Sequence, residues 1–537
     1  MSRLLIGNIT NKGLEINRDD FITRIGDVDT FKKRVLNKIV VKEKPNYSAV
    51  TTPKQLKPYY IDNNNIIFPK VMQYEKIFTI AIQEFKFNEE IIEQIDKDFD
   101  LVLPLYDYQE IAANYTMAEF NNKKPALYIQ LDTGLGKTML AIGVFLRLRV
   151  PTLIVAPTDG LAKQWYTDFT NAVSNVKIVI FDNQMLKWKS KEIPDFTNHD
   201  VIIVINKTLS MKDTEFLKNC GLAIIDEVHT YTCDTNIKIL WLLQCVPHLL
   251  GMSATPSSNP SGLDIFPMRF LGNPICVKDM EGVDLKLSTF MVNVRKIEYY
   301  GDVSKPYCCN FAGPNGMLSA INTITALSHD PNRNQMIVNE IIHLRSNQHG
   351  VMIFSELRHH LDIIKALLIR NGVKDDDISE EIEDDDETRE ISILRSGIKN
   401  DDLAITKKSG SHIVLTTYGY SKYGISLIQM TAMIIATPRR NNIEQIIGRI
   451  LRKGSDETKI REIVDIVDMN ISLKSQFTTR NAIYKFRKYP TMAEKIKFSD
   501  VKYDTLIELP VIVEKPAEIE IEDTETKEYE AFINSLI

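Results

Sequence analysis

Short apolar runs alternate with amphipathic segments along most of this chain. A first series of runs reads KPALYIQL, TLIVAP, DVIIVI, GLAIID and HLLGMS, and a second reads GVMIFS, EISIL, HIVLTT, MTAMIIA and REIVDIVD. Segments with helical periodicity lie between them, such as GKTMLAIGVFLRLRV and LRHHLDIIKALLIRNG. Strands that alternate with helices predict mostly parallel sheets, so the pattern indicates an α/β protein with two lobes.

The chain has 537 residues, which is more than one hydrophobic core normally holds. We therefore predict several domains. They are a smaller α+β amino-terminal accessory domain (residues 1–98), a first α/β lobe (99–290), an inter-lobe connection (291–335), a second α/β lobe (336–487) and an acidic carboxyl-terminal tail (488–537).

Composition narrows the class of protein. With 44% hydrophobic and 25% charged residues, the chain is typical of a soluble globular protein, and we expect neither a membrane span nor a signal peptide. The net charge of -6 argues against coating nucleic acid through bulk charge, but it leaves room for a local basic groove. The six cysteines form no C-x-x-C pair, so the sequence indicates neither a zinc site nor a disulfide framework. This cysteine usage favours a reducing compartment.

The stretch YIQLDTGLGKTML places a glycine-bearing turn between a buried strand and the start of a helix. Gly134 and Gly136 let backbone N–H groups close around phosphate oxygens, and the helix N-terminus adds partial positive charge. Lys137 would reach the terminal phosphates and Thr138 would ligate Mg²⁺. Leu131 stands where the strict phosphate-loop pattern has glycine, so a ligand-free turn is the alternative.

Two further strands end in polar residues suited to the same chemistry. Asp226 could hold Mg²⁺ through water, and Glu227 could deprotonate an attacking water, although such a pair is more often a solvated loop or helix cap. Ser253 and Thr255 would either cap a turn or couple the phosphate site to movement elsewhere. Ligands of a parallel sheet bind at the carboxyl ends of its strands. The glycine-bearing turn, the Asp226–Glu227 pair and the segment with Ser253 and Thr255 all follow such ends.

The segment NNIEQIIGRILRK predicts a helix with two distinct faces. Its isoleucines would pack in the core, while Gln445, Arg449 and Arg452 recur at helical spacing on the opposite face. That face is either a solvated cationic surface or a source of arginine fingers. An arginine finger would stabilise the charge that develops on a γ-phosphate during its transfer.

Eight motifs between about residues 100 and 470 resemble those of superfamily 2 helicases and occur in the same order along the chain. They are Gln109 in LYDYQE, LDTGLGKT, APTDGLAKQW, DEVH, SATP, MIFSE, TTYGYSKYGIS and QIIGRILR. QW and YGYSKYGIS are similar to the group that holds the UvsW-type phage helicases and the poxvirus transcript-release helicase. IIATPRRNNIEQIIGRILRKGSDE is similar to the asfarvirus helicase, so the chain resembles a helicase of large DNA viruses. Val228 and Ser426 depart from the common DEAH and GID patterns, and Ser426 is shared with the UvsW-like group.

The resemblance implies two RecA-like lobes that bind ATP and Mg²⁺ between them. It assigns adenine recognition to Gln109 and makes Glu227 the general base. The remaining cofactor-binding residues would be Thr133, Gly134, Leu135, Gly136, Lys137, Thr138 and Asp226, with Thr138 and Asp226 on the metal.

The resemblance also implies how the ATP site would act on nucleic acid. His229, Ser253 and Thr255 would couple the two, while Arg449 and Arg452, with Gln445 nearby, would contact phosphate only when the lobes close. If contacts to the nucleic-acid strand alternate with this cycle, the enzyme would move along that strand in steps. Contacts to phosphates and sugars are expected from Thr158, Gln164, Thr416 and Thr417.

We therefore expect an ATP-driven helicase or translocase, with DNA favoured over RNA and 3′-to-5′ polarity implied by the resemblance. It would act in viral transcription, for example in nascent-transcript release, with viral RNA polymerase or transcription factors as partners and no membrane. The host cytoplasm, in the viral factory, and the virion are the expected locations. Branched-DNA remodelling, an RNA helicase and a catalytically silent assembly factor are the alternatives.

Three segments of the chain carry concentrated charge. Residues 32–57 hold eight Lys or Arg against one Glu, which indicates either a grip on nucleic acid or a solvated basic surface. The run DDDISEEIEDDDE (375–387) predicts a flexible surface loop, with a docking site for a basic partner as the alternative. The acidic tail is expected to be partly disordered or to bind a partner.

Overall fold

The computed structural model describes two compact units, the first within residues 1–285 and the second within residues 286–517. The residues it describes are 5–25, 33, 37–44, 53–71, 82–87, 93–132, 134–181, 195–210, 214–257, 261–284, 290–313, 316–374, 390–395, 406, 410–421, 427–440, 442–452 and 455–501. Thr133, Ser426, the acidic run 375–387, parts of the basic segment 32–57 and residues 502–537 of the tail lie outside this set.

The amino-terminal part of the first unit is built on a small mixed sheet of strand order β5-β6-β2-β1-β7. β1 and β7 pair in parallel, and the other pairings in this sheet are antiparallel. The strands are β1 (Leu5–Thr10), β2 (Gly13–Asn17), β3 (Val41–Lys42), β4 (Gln55–Leu56), β5 (Tyr60–Asp62), β6 (Asn65–Phe68) and β7 (Ile82–Phe87), and β3 pairs with β4 separately. A helix at Arg18–Ile25 follows β2.

A seven-stranded, all-parallel sheet of order β10-β11-β9-β12-β13-β8-β14 forms the rest of the first unit. Its strands are β8 (Ala126–Gln130), β9 (Thr152–Ala156), β10 (Ile178–Phe181), β11 (Val201–Ile205), β12 (Leu222–Ile225), β13 (His248–Ser253) and β14 (Pro274–Cys276). The main helices are Asp107–Asn121, Lys137–Leu148, Asp159–Ala172, Asn206–Leu209, Asp234–Leu242 and Ile265–Leu271.

The amino-terminal segment and the first parallel sheet share one hydrophobic core. Val41, Leu56 and Ile67 are buried in the same cluster as Ile225 and Phe270. Backbone bonds add to this packing, since Lys44 N donates to Ser261 O (2.8 Å) and Lys70 N donates to the Gln244 Oε1 atom (3.0 Å). The segment is therefore an integral part of the first unit.

The second unit has its own seven-stranded parallel sheet of order β17-β18-β16-β19-β20-β15-β21. Its strands are β15 (Val292–Tyr300), β16 (Gly350–Ser355), β17 (Ile391–Leu394), β18 (Ile413–Thr417), β19 (Met430–Ile435), β20 (Arg461–Asp468) and β21 (Thr491–Lys497). The helices are Ala320–Leu327, Pro331–Ser346, Arg358–Arg370, Tyr418–Ser421, Ile443–Ile447 and Gln476–Phe486.

Two parallel-sheet units with an additional amino-terminal sheet confirm the predicted fold class. β15 and β21 extend the second sheet into the segments predicted to be the inter-lobe connection and the acidic tail. The domain boundaries given there stay a prediction. No helix in the described part of the chain is both long and apolar enough to span a bilayer.

Two buried ion pairs lie in the core of the second unit. Arg333 donates to both carboxylate oxygens of Asp468 (2.6 and 3.1 Å), and Arg480 does the same to Asp465 (2.8 Å each). Tyr484 adds a third bond to Asp465 at 2.8 Å. Because both carboxylates lie on β20, these pairs hold the surrounding helices in one register against the central part of the sheet.

The variant Arg480→Met keeps most of the side-chain volume and removes the charge that faces buried Asp465. We expect the free energy of unfolding to fall by about 3–5 kcal/mol, because an uncompensated buried carboxylate remains. Urea denaturation, with hydrogen exchange of β20 as the local readout, measures this.

Arg487→Met is the matched control, because Arg487 follows the same helix and pairs with Glu444 at the surface. It should change the free energy of unfolding by less than about 1 kcal/mol. Equal losses in the two variants would contradict the assigned role of the Arg480 pair.

Candidate functional site

The predicted phosphate loop connects β8 to the helix Lys137–Leu148. Gly134 and Gly136 have φ values of +84° and +74°, a region that side chains with a Cβ rarely enter. A Cβ at Gly136 would also lie 2.4 Å from the Gln109 Nε2 atom. The backbone therefore requires glycine at both positions, while Leu131 is buried and its N–H donates to Ser253 O at 3.1 Å.

Gln109 ties the phosphate loop to the helix Asp107–Asn121. Its Nε2 atom donates to Leu135 O (2.9 Å) and Gly136 O (3.2 Å), and its Oε1 atom accepts from Tyr106 N (2.9 Å). The Tyr108 hydroxyl donates to the same Leu135 carbonyl at 2.9 Å. These bonds orient the loop carbonyls toward the helix, and the adenine contact of Gln109 stays a prediction.

Lys137 and Glu227 form an ion pair across the predicted phosphate site. The Lys137 Nζ atom lies 2.7 Å from the Glu227 Oε1 atom, and both side chains are about 15% exposed. Burial on its own would raise the pKa of Glu227, but the charges of Lys137 and His229 hold this pKa below its usual range. Glu227 also adopts a left-handed backbone, with φ +46°, which turns its side chain back toward the loop.

A chain of polar contacts continues from Glu227 to the end of β13. The His229 Nδ1 atom lies 3.2 Å from the Glu227 Oε2 atom and 2.8 Å from the Ser253 hydroxyl oxygen. That oxygen also accepts a hydrogen bond from Thr255 N at 3.0 Å. The structure thus brings together the predicted base and the three predicted coupling residues, while their roles stay predictions.

Asp226 lies beside this chain and is 5% exposed. Its Oδ1 atom accepts from Glu227 N (2.9 Å) and its Oδ2 atom accepts from the Trp165 indole N–H (2.9 Å). Burial, followed by the charge of Glu227, raises the pKa of Asp226. A divalent cation would offset that penalty.

Mg²⁺ fits these residues in the way it fits other phosphate sites. Asp226 has carboxylate oxygens at a strand end that suit Mg²⁺, and Thr138 is the second residue of the helix that follows the loop. Within the described part of the chain, no three His, Cys, Asp or Glu side chains gather to hold a metal. Mg²⁺ is commonly held by one or two protein groups together with substrate phosphates, and this arrangement matches that mode.

The predicted nucleic-acid residues follow or end strands in both units, except Gln164, which lies within the helix Asp159–Ala172. Thr158 caps the helix Asp159–Ala172 by accepting from Leu161 N, and the Gln164 Nε2 atom lies 3.4 Å from Asp168. Thr416 is fully buried, and its hydroxyl donates to Leu394 O at 2.7 Å. Thr417 is 8% exposed and its hydroxyl accepts from Tyr420 N at 3.3 Å.

The arginine segment (residues 442–452) differs from the predicted two-faced helix. The helix ends at Ile447, and three-residue turns follow it, since Arg449 N donates to Ile446 O and Ile450 N to Ile447 O. Gln445 and Arg449 are only 7% and 6% exposed. The expectation of one helical face that carries Gln445, Arg449 and Arg452 was therefore wrong, while their roles at the γ-phosphate stay a prediction. The helix stops early because the Ile450 carbonyl accepts a hydrogen bond from the Arg461 guanidinium on β20.

Arg461, the first residue of β20, anchors the arginine segment. It is fully buried and donates to Ile450 O (2.7 Å) and to the Ser455 hydroxyl (2.7 Å), which in turn donates to Arg452 O (2.5 Å). Its guanidinium lies 4.3 Å from the ring centre of Phe290. Sequence reasoning missed Arg461 because an arginine at a strand start carries no periodic signal.

Trp165 and Tyr108 were missed in the same way. Each is buried, and each donates one hydrogen bond to a motif residue distant in sequence. The only available signal was a large aromatic residue with a polar atom beside a motif, as in QW and DYQ.

Comparison with known proteins identifies the chain. Residues 102–258 match the family described as type III restriction enzyme, res subunit. The chain is 34% identical over 464 residues to the "Putative ATP-dependent RNA helicase QP509L" of African swine fever virus, isolate Tick/Malawi/Lil 20-1/1983, with 83% of this chain and 84% of the relative covered. The chain belongs to the superfamily 2 helicases of large DNA viruses. This helicase is also 24% identical over 551 residues to the similarly named L396 of Acanthamoeba polyphaga mimivirus, with 98% and 96% covered.

Two solved structures are similar to this helicase at low identity. The crystal structure of T4 UvsW aligns at 15% identity and a TM-score of 0.37, covering 92% of this helicase and 100% of that chain. S. cerevisiae Dbp5 bound to RNA and ADP BeF3 aligns at 14% identity and a TM-score of 0.47, covering 79% and 93%. The predicted resemblance to asfarvirus helicases is confirmed by the sequence relatives, and the enzyme is an ATP-dependent helicase.

The Arg461→Met variant should loosen the arginine segment. Hydrogen bonds from a charged donor contribute about 1.5–3 kcal/mol each, so losing two should speed amide exchange in residues 443–455 by about tenfold or more. Hydrogen–deuterium exchange of the helicase measures this. Arg295→Met, which removes a partly exposed partner of Glu340, is the control; faster exchange of 443–455 in both variants would argue against the anchor.

Proposed function

We propose that this helicase couples ATP hydrolysis to 3′-to-5′ translocation along DNA. One observation carries the proposal: a continuous chain of polar contacts runs from Lys137 through Glu227 and His229 to Ser253 and Thr255. It joins the phosphate loop, the predicted base and a third strand end within one unit. Such a chain can pass a change at the γ-phosphate to residues outside the ATP site.

The Lys137–Glu227 ion pair would break when ATP binds, and this exchange of partners would start the reaction. An incoming γ-phosphate competes with Glu227 for the Lys137 ammonium, because a phosphate carries more charge than a carboxylate. When Lys137 turns to the phosphate, the Glu227 carboxylate is released to accept a proton from the attacking water. Bound Mg²⁺, held by Thr138 and Asp226, would supply neutralisation of the charge on the transferred phosphoryl group.

The second unit would complete the site through its arginine segment. Arg449 and Arg452 carry the positive charge that a phosphoryl transition state requires, and Gln445 lies in the same segment. If these arginines contact the γ-phosphate only when the two units are closed, bound ATP would favour the closed arrangement. Hydrolysis would remove that contact and the preference for closure. Backbone contacts to the strand near Thr158, Gln164, Thr416 and Thr417 would then alternate with the cycle.

DNA is the proposed substrate, and RNA is the second candidate. The motif resemblance to transcript-release and UvsW-type helicases supports DNA, as does the restriction-enzyme family matched by residues 102–258. The names of the asfarvirus and mimivirus relatives, which contain the words RNA helicase, favour RNA. Branched-DNA remodelling in viral recombination or repair is a further role for the same activity.

We place the activity in viral transcription, at the release of the nascent transcript. Viral RNA polymerase or transcription factors would be its partners. The cytoplasmic factory of the host cell and the virion are the locations where such an enzyme would act.

The purified helicase should hydrolyse ATP faster with duplex or single-stranded DNA than with RNA or with no nucleic acid. Steady-state ATP hydrolysis under these four conditions measures it. Lys137→Ala and Glu227→Gln should each reduce the stimulated rate by about 10³-fold or more, because they remove the phosphate-binding cation and the base. Stimulation by RNA alone would move the substrate to RNA, and full activity of Lys137→Ala would refute the site.

The basic amino-terminal segment supplies a second test of nucleic-acid binding. Lys42, Lys44 and Lys57 are exposed, whereas Lys54 pairs with Asp234. If the exposed lysines contact phosphates, changing all three to alanine should weaken DNA binding and lower the salt slope by about 0.9 per lost contact. Substitution is preferable to deletion of residues 1–98, because that segment shares a core with the first unit.

Fluorescence anisotropy of a labelled duplex at several salt concentrations measures the affinity and its slope. A matched control replaces Lys123, Lys177 and Lys218, three exposed lysines elsewhere on the first unit, with alanine. Equal effects of the two triple variants would show that the amino-terminal lysines have no special role.

A further inference from the structure

The indole N–H of Trp165 donates a hydrogen bond to the predicted metal carboxylate. The acceptor is the Asp226 Oδ2 atom, at 2.9 Å. Trp165 is 2% exposed and Asp226 is 5% exposed, so the bond is shielded from water. An indole N–H can donate but not accept, so it requires an acceptor at this position.

The contact joins two elements that the proposed function assigns to different tasks. Trp165 belongs to the helix Asp159–Ala172, which Thr158 caps and which also carries Gln164. Both of those residues are proposed nucleic-acid contacts. Asp226 follows β12 and is a proposed Mg²⁺ ligand, so one hydrogen bond links the strand-binding helix to the metal site.

This link is separate from the chain of contacts through His229. That chain leaves the ATP site through Glu227 and ends on β13. The Trp165 bond connects the ATP site, at Asp226, to the helix Asp159–Ala172, which follows β9 in the chain. The first unit therefore holds two physical routes between the ATP site and its surroundings.

We propose that Trp165 is a positioning residue that sets the orientation of the Asp226 carboxylate and transmits strand binding to the Mg²⁺–nucleotide site. The inference rests on the proposed function. Asp226 has one oxygen held by Glu227 N and the other by Trp165, which together define the plane of the carboxylate. A shift of the helix on binding a strand alters the second bond, and so it alters the ligand presented to the metal.

Magnitudes for such partners are known from other metal sites. Removing a group that orients a metal ligand typically costs about 10–100-fold in metal affinity or activity. Trp165→Phe removes the indole N–H while it keeps an aromatic ring in the core. Its effect on packing is matched by Trp241→Phe, because Trp241 is 9% exposed in the same unit and its ring packs edge-on against Tyr60 and Phe270.

The experiment titrates Mg²⁺ against each protein in the presence of a fluorescent, non-hydrolysable ATP analogue. The titration is repeated with the nucleic acid that stimulates hydrolysis most. We expect Trp165→Phe to raise the half-saturating Mg²⁺ concentration about tenfold and to abolish its dependence on nucleic acid. Trp241→Phe should behave like the unsubstituted helicase.

Identical Mg²⁺ titrations for Trp165→Phe and Trp241→Phe would overturn the inference. A failure of the proposed function has a different signature: the unsubstituted helicase itself would show no Mg²⁺-dependent nucleotide binding and no stimulation by nucleic acid. Thermal melting of both variants separates a loss of folding from a loss of positioning.

A second measurement leaves Trp165 in place. The chain has three tryptophans, so the double variant Trp188→Phe with Trp241→Phe makes Trp165 the sole source of indole emission. We expect this emission to change when Mg²⁺ and nucleotide bind, and to change again when nucleic acid is added. Emission that responds to neither addition would overturn the inference even if Trp165→Phe fails to fold.

Discussion

The ion pair between Lys137 and Glu227 depends on the register of three adjacent parallel strands. β13 lies between β12 and β8, with Gly251 paired to Ile225 on one side and to Tyr128 on the other. This register brings the carboxyl ends of the three strands to one level, so that the loop, the acidic pair and the serine meet. A slip of one residue in β13 would move its end by about 3.3 Å and turn its side chains to the opposite face. The contacts among the loop, Glu227, His229 and Ser253 depend on this alignment.

Much of that arrangement could be predicted from sequence, for physical reasons. Runs such as LAII and TLIVA lie in strands buried on both faces, and their near-continuous apolar character distinguishes them from surface strands. Gly134 and Gly136 are required by backbone conformations that few other residues adopt, so their spacing carries information by itself. Parallel strands place their carboxyl ends together, and the meeting of Asp226, Glu227 and Ser253 follows from that rule.

The rest depends on contacts between residues far apart in the chain, which periodicity does not record. The isoleucines of the arginine segment predicted a longer helix, but bonds from Arg461 to Ile450 O and to Ser455 favour a turn instead. The local sequence around Trp165 predicts only a buried aromatic residue. Its hydrogen bond to Asp226 becomes visible only when the fold brings the two residues together. Buried polar groups need a partner, yet sequence alone does not say which one it is.

The core shared by the amino-terminal segment and the first parallel sheet also has a consequence for synthesis of the chain on the ribosome. Leu56 and Ile67 are covered by residues as late as Phe270. At a synthesis rate of about 5–20 residues per second, the interval between the emergence of these partners is on the order of 10–40 s. During that interval these side chains lack the later part of their native packing. The newly made amino-terminal segment therefore exposes apolar surface until the first unit is complete.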